Sequence, residues 1–281
     1  MSCAEVDIDV NGLDLVPDTL YPVHFELNVN FKMKILFSNS KKDWIPFIEK
    51  GFELSQHEIF FAELISSDIN SFDLVVPLTI QDLSYLNQIP SLLANNAIPI
   101  PTIASILLCN NKYLLNQALV IKGFSDFIPK IGFTHQYPYV LKKRIDEWGK
   151  NSHLIFNKQQ EQLFLVNLIH PDYFVQAFIA GADEFATHIL FKNKKIVHAM
   201  TIKHSHEGDA YIRGKDKTIS SEVCECAYLE LFSSMLIAIG FEGLCCIDYK
   251  MVDNHPFILE INPRFGGSLC GLFFSFIEHL A

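Results

Sequence analysis

The chain has 281 residues, 49% of them hydrophobic and 19% charged, with a formal net charge of −10 at pH 7. That composition supplies a sizeable core and two or three compact lobes, and it excludes a disordered chain. The acidic balance argues against a nucleic-acid binder, which needs a basic face for phosphates, and no apolar run reaches the roughly 18 to 20 residues of a membrane span.

Residues 1–32 read as an N-terminal extension, and the acidic Glu5, Asp7 and Asp9 directly after the start are unlike a signal peptide. The first strong strand is Met33 to Phe37, the usual opening of an α/β unit. Asp43 to Phe52 has helical spacing at Trp44, Phe47 and Ile48, with Gly51 placed to help end it. Ile59 to Ile65 and Phe72 to Pro77 read as further strands. Strands alternating with helices predict a partly parallel sheet with covered faces over residues 33–105. Ser38-Asn39-Ser40 is not a glycine-rich phosphate loop, so this lobe reads as a scaffold or an acceptor-binding lobe.

A helical stretch covers Ser105 to Lys122, with a break at Asn110-Asn111 and Gly123 at its end. Tyr137 to Lys142 is a strand that runs into the polar loop Arg144 to Ser152. Tyr173 to Ile179 is a strand ended by Ala180-Gly181. Phe185 to Phe191 and Lys195 to Lys203 form a hairpin about Asn193. Residues 204–219 read as a polar loop, and Ser221 to Ile239 as an amphipathic helix stopped by Gly240. Seven cysteines without framework spacing predict reduced thiols in a cytoplasmic protein, and paired CxxC units for zinc are absent.

The chemistry concentrates in CCIDYKMVDNHPFILEINPRFGG, residues 245–267. Folded about Asn254, Asp248 faces Glu260 and Cys246 faces Asn262. Side chains alternate along a strand, so Cys245, Ile247, Tyr249 and Met251 share an apolar face with Phe257, Leu259 and Ile261. The other face carries Cys246, Asp248, Lys250, Ile258, Glu260 and Asn262. Cross-strand neighbours lie roughly 4.5 to 5.5 Å apart, and two carboxylates that close repel unless a cation lies between them. Hard oxygen donors favour Mg²⁺, with Mn²⁺ as the substitute. A solvated polar face is the bland alternative. Arg264, two residues past Asn262, adds a fork of donors suited to an acyl phosphate or carboxylate.

Glu260-Ile261-Asn262-Pro263-Arg264, with Asp248 upstream, resembles the closing signature of the ATP-grasp superfamily. Other matches follow in the family's order. Asn111-Lys112 resembles its Asp-Lys pair, with Asn in place of Asp. Pro138 to Lys142 resembles its phosphate-lysine strand, and Val175 to Glu184 its adenine hinge and ribose acid. The resemblance covers residues 33–281. It implies an α/β protein with an ATP-grasp fold, two α+β lobes clasping ATP, preceded by a small Rossmann-like domain. The ATP-grasp domain would span 106–281, with a small lobe about 125–180 and a large lobe about 181–281.

The same resemblance implies roles. Lys112 and Lys142 would neutralise the α and β phosphates, and Gly149 to Ser152 would close over them. Gln176, Phe178 and Ile179 would line the adenine. Glu184 would bind the ribose hydroxyls, with Asp183 as the neighbouring alternative. Lys203 would meet the γ-phosphate, and His204 to Lys217, with Arg213, would form an acceptor-side lid. Asp248, Glu260 and Asn262 would hold Mg²⁺, and Arg264 would stabilise the transferred phosphoryl group. The implied reaction joins a carboxylic acid to an amine through an acyl phosphate, with an amino acid as one substrate. A bicarbonate-dependent carboxylase, a phosphotransferase and a non-catalytic nucleotide-binding module are the alternatives. The chain ends nineteen residues after Asn262, where relatives often continue, so a homodimer is expected to complete the acceptor side.

Overall fold

The computed structural model describes residues 32–53, 55–132 and 136–280. The expected extension over 1–32 lies, apart from Lys32, outside the described residues. The first layer runs β1 (Lys34–Ser38), α1 (Ile45–Phe52), β2 (Glu58–Ala62) and β3 (Leu74–Val76). These strands form a sheet of order β2-β1-β3 in which both pairings are parallel. The central β1 buries Ile35, Leu36 and Phe37 on both faces, as a continuous apolar run requires. The expected strand from Ile59 to Ile65 stops at Ala62, and a 3₁₀ turn takes Leu64–Ser66. Gly51 lies inside α1 rather than ending it. A Cβ there would stand 2.6 Å from the Gly271 carbonyl oxygen, so glycine is needed for close packing.

Next come α2 (Ile80–Leu86), α3 (Pro90–Asn95), α4 (Ile103–Asn110) and α5 (Lys112–Leu119). The break expected at Asn110-Asn111 is a helix cap: the Asn111 side chain accepts from the Leu114 N–H at 3.1 Å. That cap makes Lys112 the first residue of α5. A second sheet of order β5-β4-β6 contains β4 (Tyr139–Lys143), β5 (His153–Ile155) and β6 (Tyr173–Ala177), all antiparallel. Between β5 and β6 lie α6 (Lys158–Leu163) and α7 (Leu165–Ile169).

The largest sheet has the order β11-β10-β7-β8-β9, antiparallel throughout. It contains β7 (Asp183–Lys192), β8 (Lys195–His206), β9 (Thr218–Cys224), β10 (Gly243–Val252) and β11 (His255–Asn262). Helix α8 (Leu229–Ala238) precedes β10, and α9 (Phe273–Ile277) follows β11. Asn193-Lys194 and Asp253-Asn254 turn the two tight hairpins with positive φ at both residues, the conformation that matches strand twist. One face of the sheet is dry. There Ile189, Ile247, Ile258 and Ile261 pack with Leu115 and Leu119 of α5 and Phe232, Met235 and Leu236 of α8. Past β11 the chain returns to the first sheet, where Phe265, Phe273 and Phe276 join Phe37 and Ile48 in one core.

The helix expected over Ser221 to Ile239 survives only as α8, because Ser221 to Cys224 belong to edge strand β9. The β-branched Thr218, Ile219 and Val223 suit a strand, and the open edge of β8 supplies its hydrogen-bond partner. The polar loop expected over 204–219 is correspondingly shorter, since β8 runs to His206. In the closing hairpin, Asp248 does face Glu260 and Cys246 does face Asn262, but the register shifts after Asp248 so that Tyr249 pairs with Ile258. The bulge turns Ile258 into the dry core and Leu259 into the cleft, the reverse of strict alternation. The six cysteines among the described residues are free, and no described helix is long and apolar enough to cross a membrane.

Candidate functional site

A cleft of about 1130 Å³, its open mouth included, is lined by β4, β6, β7, β10 and β11 and by the loops around Trp148 and Arg213. Of the residues singled out in the sequence, Lys112, Lys142, Gly149, Ser152, Gln176, Phe178, Ile179, Glu184, Arg213, Asp248, Glu260, Asn262 and Arg264 all line it. Strand parity explains the convergence: Glu184, Asp248, Glu260 and Asn262 all project from the sheet face opposite the dry core.

One end of the cleft is apolar. Val140, Phe178, Ile179 and Leu259 form its walls. Two polar groups there are unspent: the Gln176 side-chain amide nitrogen and the Tyr211 hydroxyl are buried, and neither has a partner among the described residues. Buried groups of that kind are normally hydrogen-bonded, so the pair suits a flat heteroaromatic ligand with donors and acceptors at its edge. Lys250 borders this end. Its Nζ donates to the Ile179 and Gly181 carbonyls at 3.3 and 2.9 Å and sits 3.8 Å from the Tyr211 ring centroid.

The other end is crowded with charge. Lys112 Nζ lies 3.0 Å from Glu260 Oε2 and donates to the Asp146 carbonyl at 2.6 Å. Asn262 Nδ2 donates to Asp248 Oδ2 at 3.1 Å and to Glu260 Oε1 at 3.0 Å, tying the three residues into one corner. Arg213 Nη1 bridges Asp248 Oδ1 at 2.8 Å and Glu184 Oε1 at 3.1 Å. Burial pushes the Asp248 carboxyl up, against the pull of Arg213 and with the push of Glu260. Burial also works to raise Glu260, but nearby Lys112 and the Asn262 amide outweigh it and hold its carboxyl below the usual range. Burial lowers the Lys142 ammonium to about 8, with Glu260 pulling the other way.

The donor chemistry of this corner fits magnesium. No group of three or more His, Cys, Asp or Glu side chains capable of holding a metal occurs among the described residues. Two carboxylates, with the Asn262 amide turned so that its oxygen replaces the nitrogen that now donates to them, would leave the remaining positions to water or phosphate, which is how Mg²⁺ is usually bound.

Two loops close over the charged end. Gly149 has φ +59°, and a Cβ there would lie 2.7 Å from the Ile212 side chain; Gly214 has φ +91°, and a Cβ there would lie 2.4 Å from the Trp148 carbonyl oxygen. Both positions demand glycine for conformation and for space. Lys215 Nζ donates to the Ser152 carbonyl at 2.6 Å and adds a tie between the loops.

Lys203 is the exception among the expected residues. It pairs with Phe185 on the dry side of the sheet, whereas its neighbour His204 pairs with Glu184 on the cleft side. Its Nζ lies 2.8 Å from Glu222 and 3.9 Å from Asp183. A γ-phosphate role for Lys203 is therefore withdrawn: one residue of parity puts it on the wrong face. The same parity places Glu184, not Asp183, in the cleft. The sequence reading assigned no site role to Lys250, Leu259, Trp44, Glu147 or Trp148, which also line it, and singled out no contact for Tyr211 within the expected lid. Lys250 was signalled by alternation with Asp248. Leu259 was hidden by the bulge, and the others meet only through tertiary folding.

The ATP-grasp domain family matches residues 109–268 of the sequence. The chain belongs to the ATP-grasp family. Solved structures agree in fold. D-alanine–D-alanine ligase from Bacillus anthracis superposes with a TM-score of 0.59 at 16% identity, over 88% of this chain and 91% of that one. An L-amino acid ligase from Bacillus licheniformis gives 0.58 at 14% identity, over 85% of this chain and 69% of that one. N5-carboxyaminoimidazole synthetase from Staphylococcus aureus, complexed with ADP, gives 0.57 at 13% identity, over 84% and 71%. Among curated proteins none matches the sequence significantly. Every expected site residue of this ATP-grasp chain falls inside the matched span, while Trp44 comes from the preceding parallel-sheet layer.

Proposed function

We propose that this ATP-grasp protein is an ATP-dependent ligase that activates a carboxylic acid as its acyl phosphate and passes the acyl group to an amine. The observation that carries the reading is the corner of Asp248, Glu260 and Asn262, set beside Lys112 and Arg264 at one end of a cleft whose other end is apolar. The substrate carboxylate oxygen attacks the γ-phosphorus of ATP, the bond to the bridging oxygen breaks, and ADP leaves. The free amine nitrogen then attacks the acyl carbon, phosphate leaves with the bonding electrons and takes up the proton that the nitrogen sheds, and an amide is formed. Such chemistry requires positioning and charge neutralisation rather than a nucleophilic side chain.

The base would lie between Phe178, Ile179, Val140 and Leu259, read at its edge by Gln176 and the hinge backbone. Glu184 would accept from the ribose. Lys112 and Lys142 would neutralise phosphate charge, and Gly149 to Ser152 would cover it. Asp248, Glu260 and Asn262 would hold Mg²⁺, which when bound neutralises charge between the phosphates. Arg264 would stabilise the developing negative charge by its fork of donors. Arg213 would reach across from the second loop. An amino acid is the first substrate class to try, in keeping with the D-alanine and L-amino acid ligases of the same fold. The sequence-based division into 33–105 and 106–281 is part of this proposal.

The test is Mg²⁺-dependent release of ADP and phosphate against amino acids and small carboxylates, singly and in pairs, with Glu260→Ala as control. Release that needs one acid and one amine and is lost in the variant supports the ligase. Turnover that needs bicarbonate, or a stable phosphorylated product without free phosphate, would replace it with a carboxylase or a phosphotransferase. Nucleotide binding without turnover for any pair would leave a binding module.

A further inference from the structure

Apart from the residues assigned to the nucleotide, two cations share one carboxylate, and Glu147 and Arg264 of this trio line the cleft. Lys41 Nζ lies 2.5 Å from Glu147 Oε2, and Arg264 Nη2 lies 3.1 Å from Glu147 Oε1. The three residues come from three separate segments: the turn after β1, the loop after β4 and the turn after β11. Both cations lie near the same indole, with Trp44 5.8 Å from Lys41 Nζ and 5.5 Å from Arg264 Cζ. Trp148, next to Glu147, meets Trp44 edge-on at 6.2 Å.

Burial in this triad is unequal. The Lys41 and Arg264 side chains are 15% and 9% exposed, whereas that of Glu147 is 41% exposed. Two cations sunk side by side repel, and an anion between them removes the penalty. All three come from irregular segments, and the anion is the member that solvent reaches most. That exposure makes Glu147 the part of the triad that a ligand can replace.

We propose that Lys41 and Arg264 form the subsite for the carboxylate of the acid substrate, and that Glu147 is its resident competitor. The proposal rests on the ligase reading and adds to it a residue outside the ATP-grasp match, which begins at residue 109. Glu147 itself gauges the ligand: a carboxylate on a short apolar stem, lying beside an indole. The floor is equally restrictive, since a Cβ on Gly267 would stand 3.1 Å from the Trp148 ring and 3.4 Å from the Trp44 ring. Incoming acid takes both cations, Glu147 swings to solvent, and the loop carrying Trp148 and Gly149 is released from Arg264 only when substrate is there to replace it.

The chain has two tryptophans, and both stand beside this triad, so intrinsic emission reads it without a label. Propionate, benzoate and L-alanine are titrated separately against the full-length protein, with and without magnesium and a non-hydrolysable ATP analogue. At least one acid shifts the emission saturably. Lys41→Met raises its half-saturation concentration roughly tenfold or more, the size expected for losing a charged hydrogen bond. Lys41→Arg restores most of the affinity, and Glu147→Gln lowers the half-saturation concentration, because a neutral amide competes less well for the cations. The proposal is overturned if Lys41→Met binds acid like the unaltered protein. It is overturned equally if Glu147→Gln weakens acid binding, which would make Glu147 a latch rather than a competitor. Failure of all three acids in both the unaltered protein and Glu147→Gln also sinks it. Analogue binding, measured on the same samples, separates the two readings: analogue without acid removes the subsite alone, and acid without analogue removes the ligase.

Discussion

Along β10 the two faces of the five-stranded sheet are almost equally buried and are stabilised in opposite ways. On one side Cys245, Ile247 and Tyr249 point into the core under α8, while on the other Asp248 and Lys250 line the cleft and Cys246 packs beside His188. Ile247 is 0% exposed, Asp248 7% and Lys250 4%, so exposure hardly separates them. The dry face gains from apolar area removed from water. The cleft face gains nothing net from burying charge; each charge is offset by a partner, Asp248 by Arg213, Glu260 by Lys112 and Lys250 by two carbonyls. A buried pair roughly breaks even against an apolar replacement. Retaining several of them on one face is intelligible when the face has to receive charged ligands.

Breaking each face should therefore give a different phenotype. Phe232 is fully buried against Tyr249, ring centroids 5.2 Å apart. Phe232→Ala is expected to cost about 3–5 kcal/mol of stability, as truncations of buried aromatics do. Urea unfolding measures this, and the folded fraction should still bind nucleotide. Glu260→Ala should do the opposite. ATP turnover is expected to fall on the order of 10²-fold or more, with a smaller shift in the unfolding midpoint than Phe232→Ala produces. Unchanged ATP turnover by the folded Glu260→Ala protein would mean that Glu260 is a structural partner of Lys112 and nothing else.

The contrast between the faces was largely legible in the sequence because strand alternation is a local rule. Asp248 opposite Glu260 and Cys246 opposite Asn262 needed only a turn at Asn254, and the structure places them so. Where the rule failed, a non-local cause is identifiable. The bulge after Asp248 inverted Ile258 and Leu259, and nothing in their apolar chemistry distinguishes the two orders. The helix expected from Ser221 failed because the edge of β8 offered Ser221 to Cys224 a ladder that periodicity does not reveal. The meeting of Lys41, Trp44, Glu147, Trp148 and Arg264 lay beyond reach altogether, since no spacing links the residues after β1 to a loop a hundred positions later.

A pH series sharpens the comparison at Lys142. Its head group lies deep in the charged end although the residue as a whole is part-buried, and burial lowers its ammonium to about 8. If Lys142 meets the ATP phosphates, kcat/KM for ATP falls as pH rises through about 8, because that ratio reports the free protein, in which the proton is lost. Saturating ATP should hold the proton on and leave kcat less affected. Lys142→Arg, whose charge persists, should flatten the fall. Stability moves the other way. Between about 8 and the higher value of an unfolded lysine, the unfolded chain binds the extra proton, so the contribution of Lys142 to folding rises with pH.

The smallest expected effect is the most discriminating. Lys203 stands on β8 and Lys142 on β4, and both read from sequence as phosphate lysines. Only Lys142 lines the cleft; Lys203 pairs across the outer edge with Glu222 at 2.8 Å. Exposed pairs of this kind contribute little. Lys203→Ala should leave ATP turnover and nucleotide affinity unchanged and shift the unfolding midpoint only slightly, while Lys142→Ala weakens nucleotide binding under the same conditions. A loss of activity in Lys203→Ala comparable to that in Lys142→Ala would mean that β8 presents its other face to the ligand. It would also place Asp183 rather than Glu184 at the ribose, because the two strands share one register and turn together.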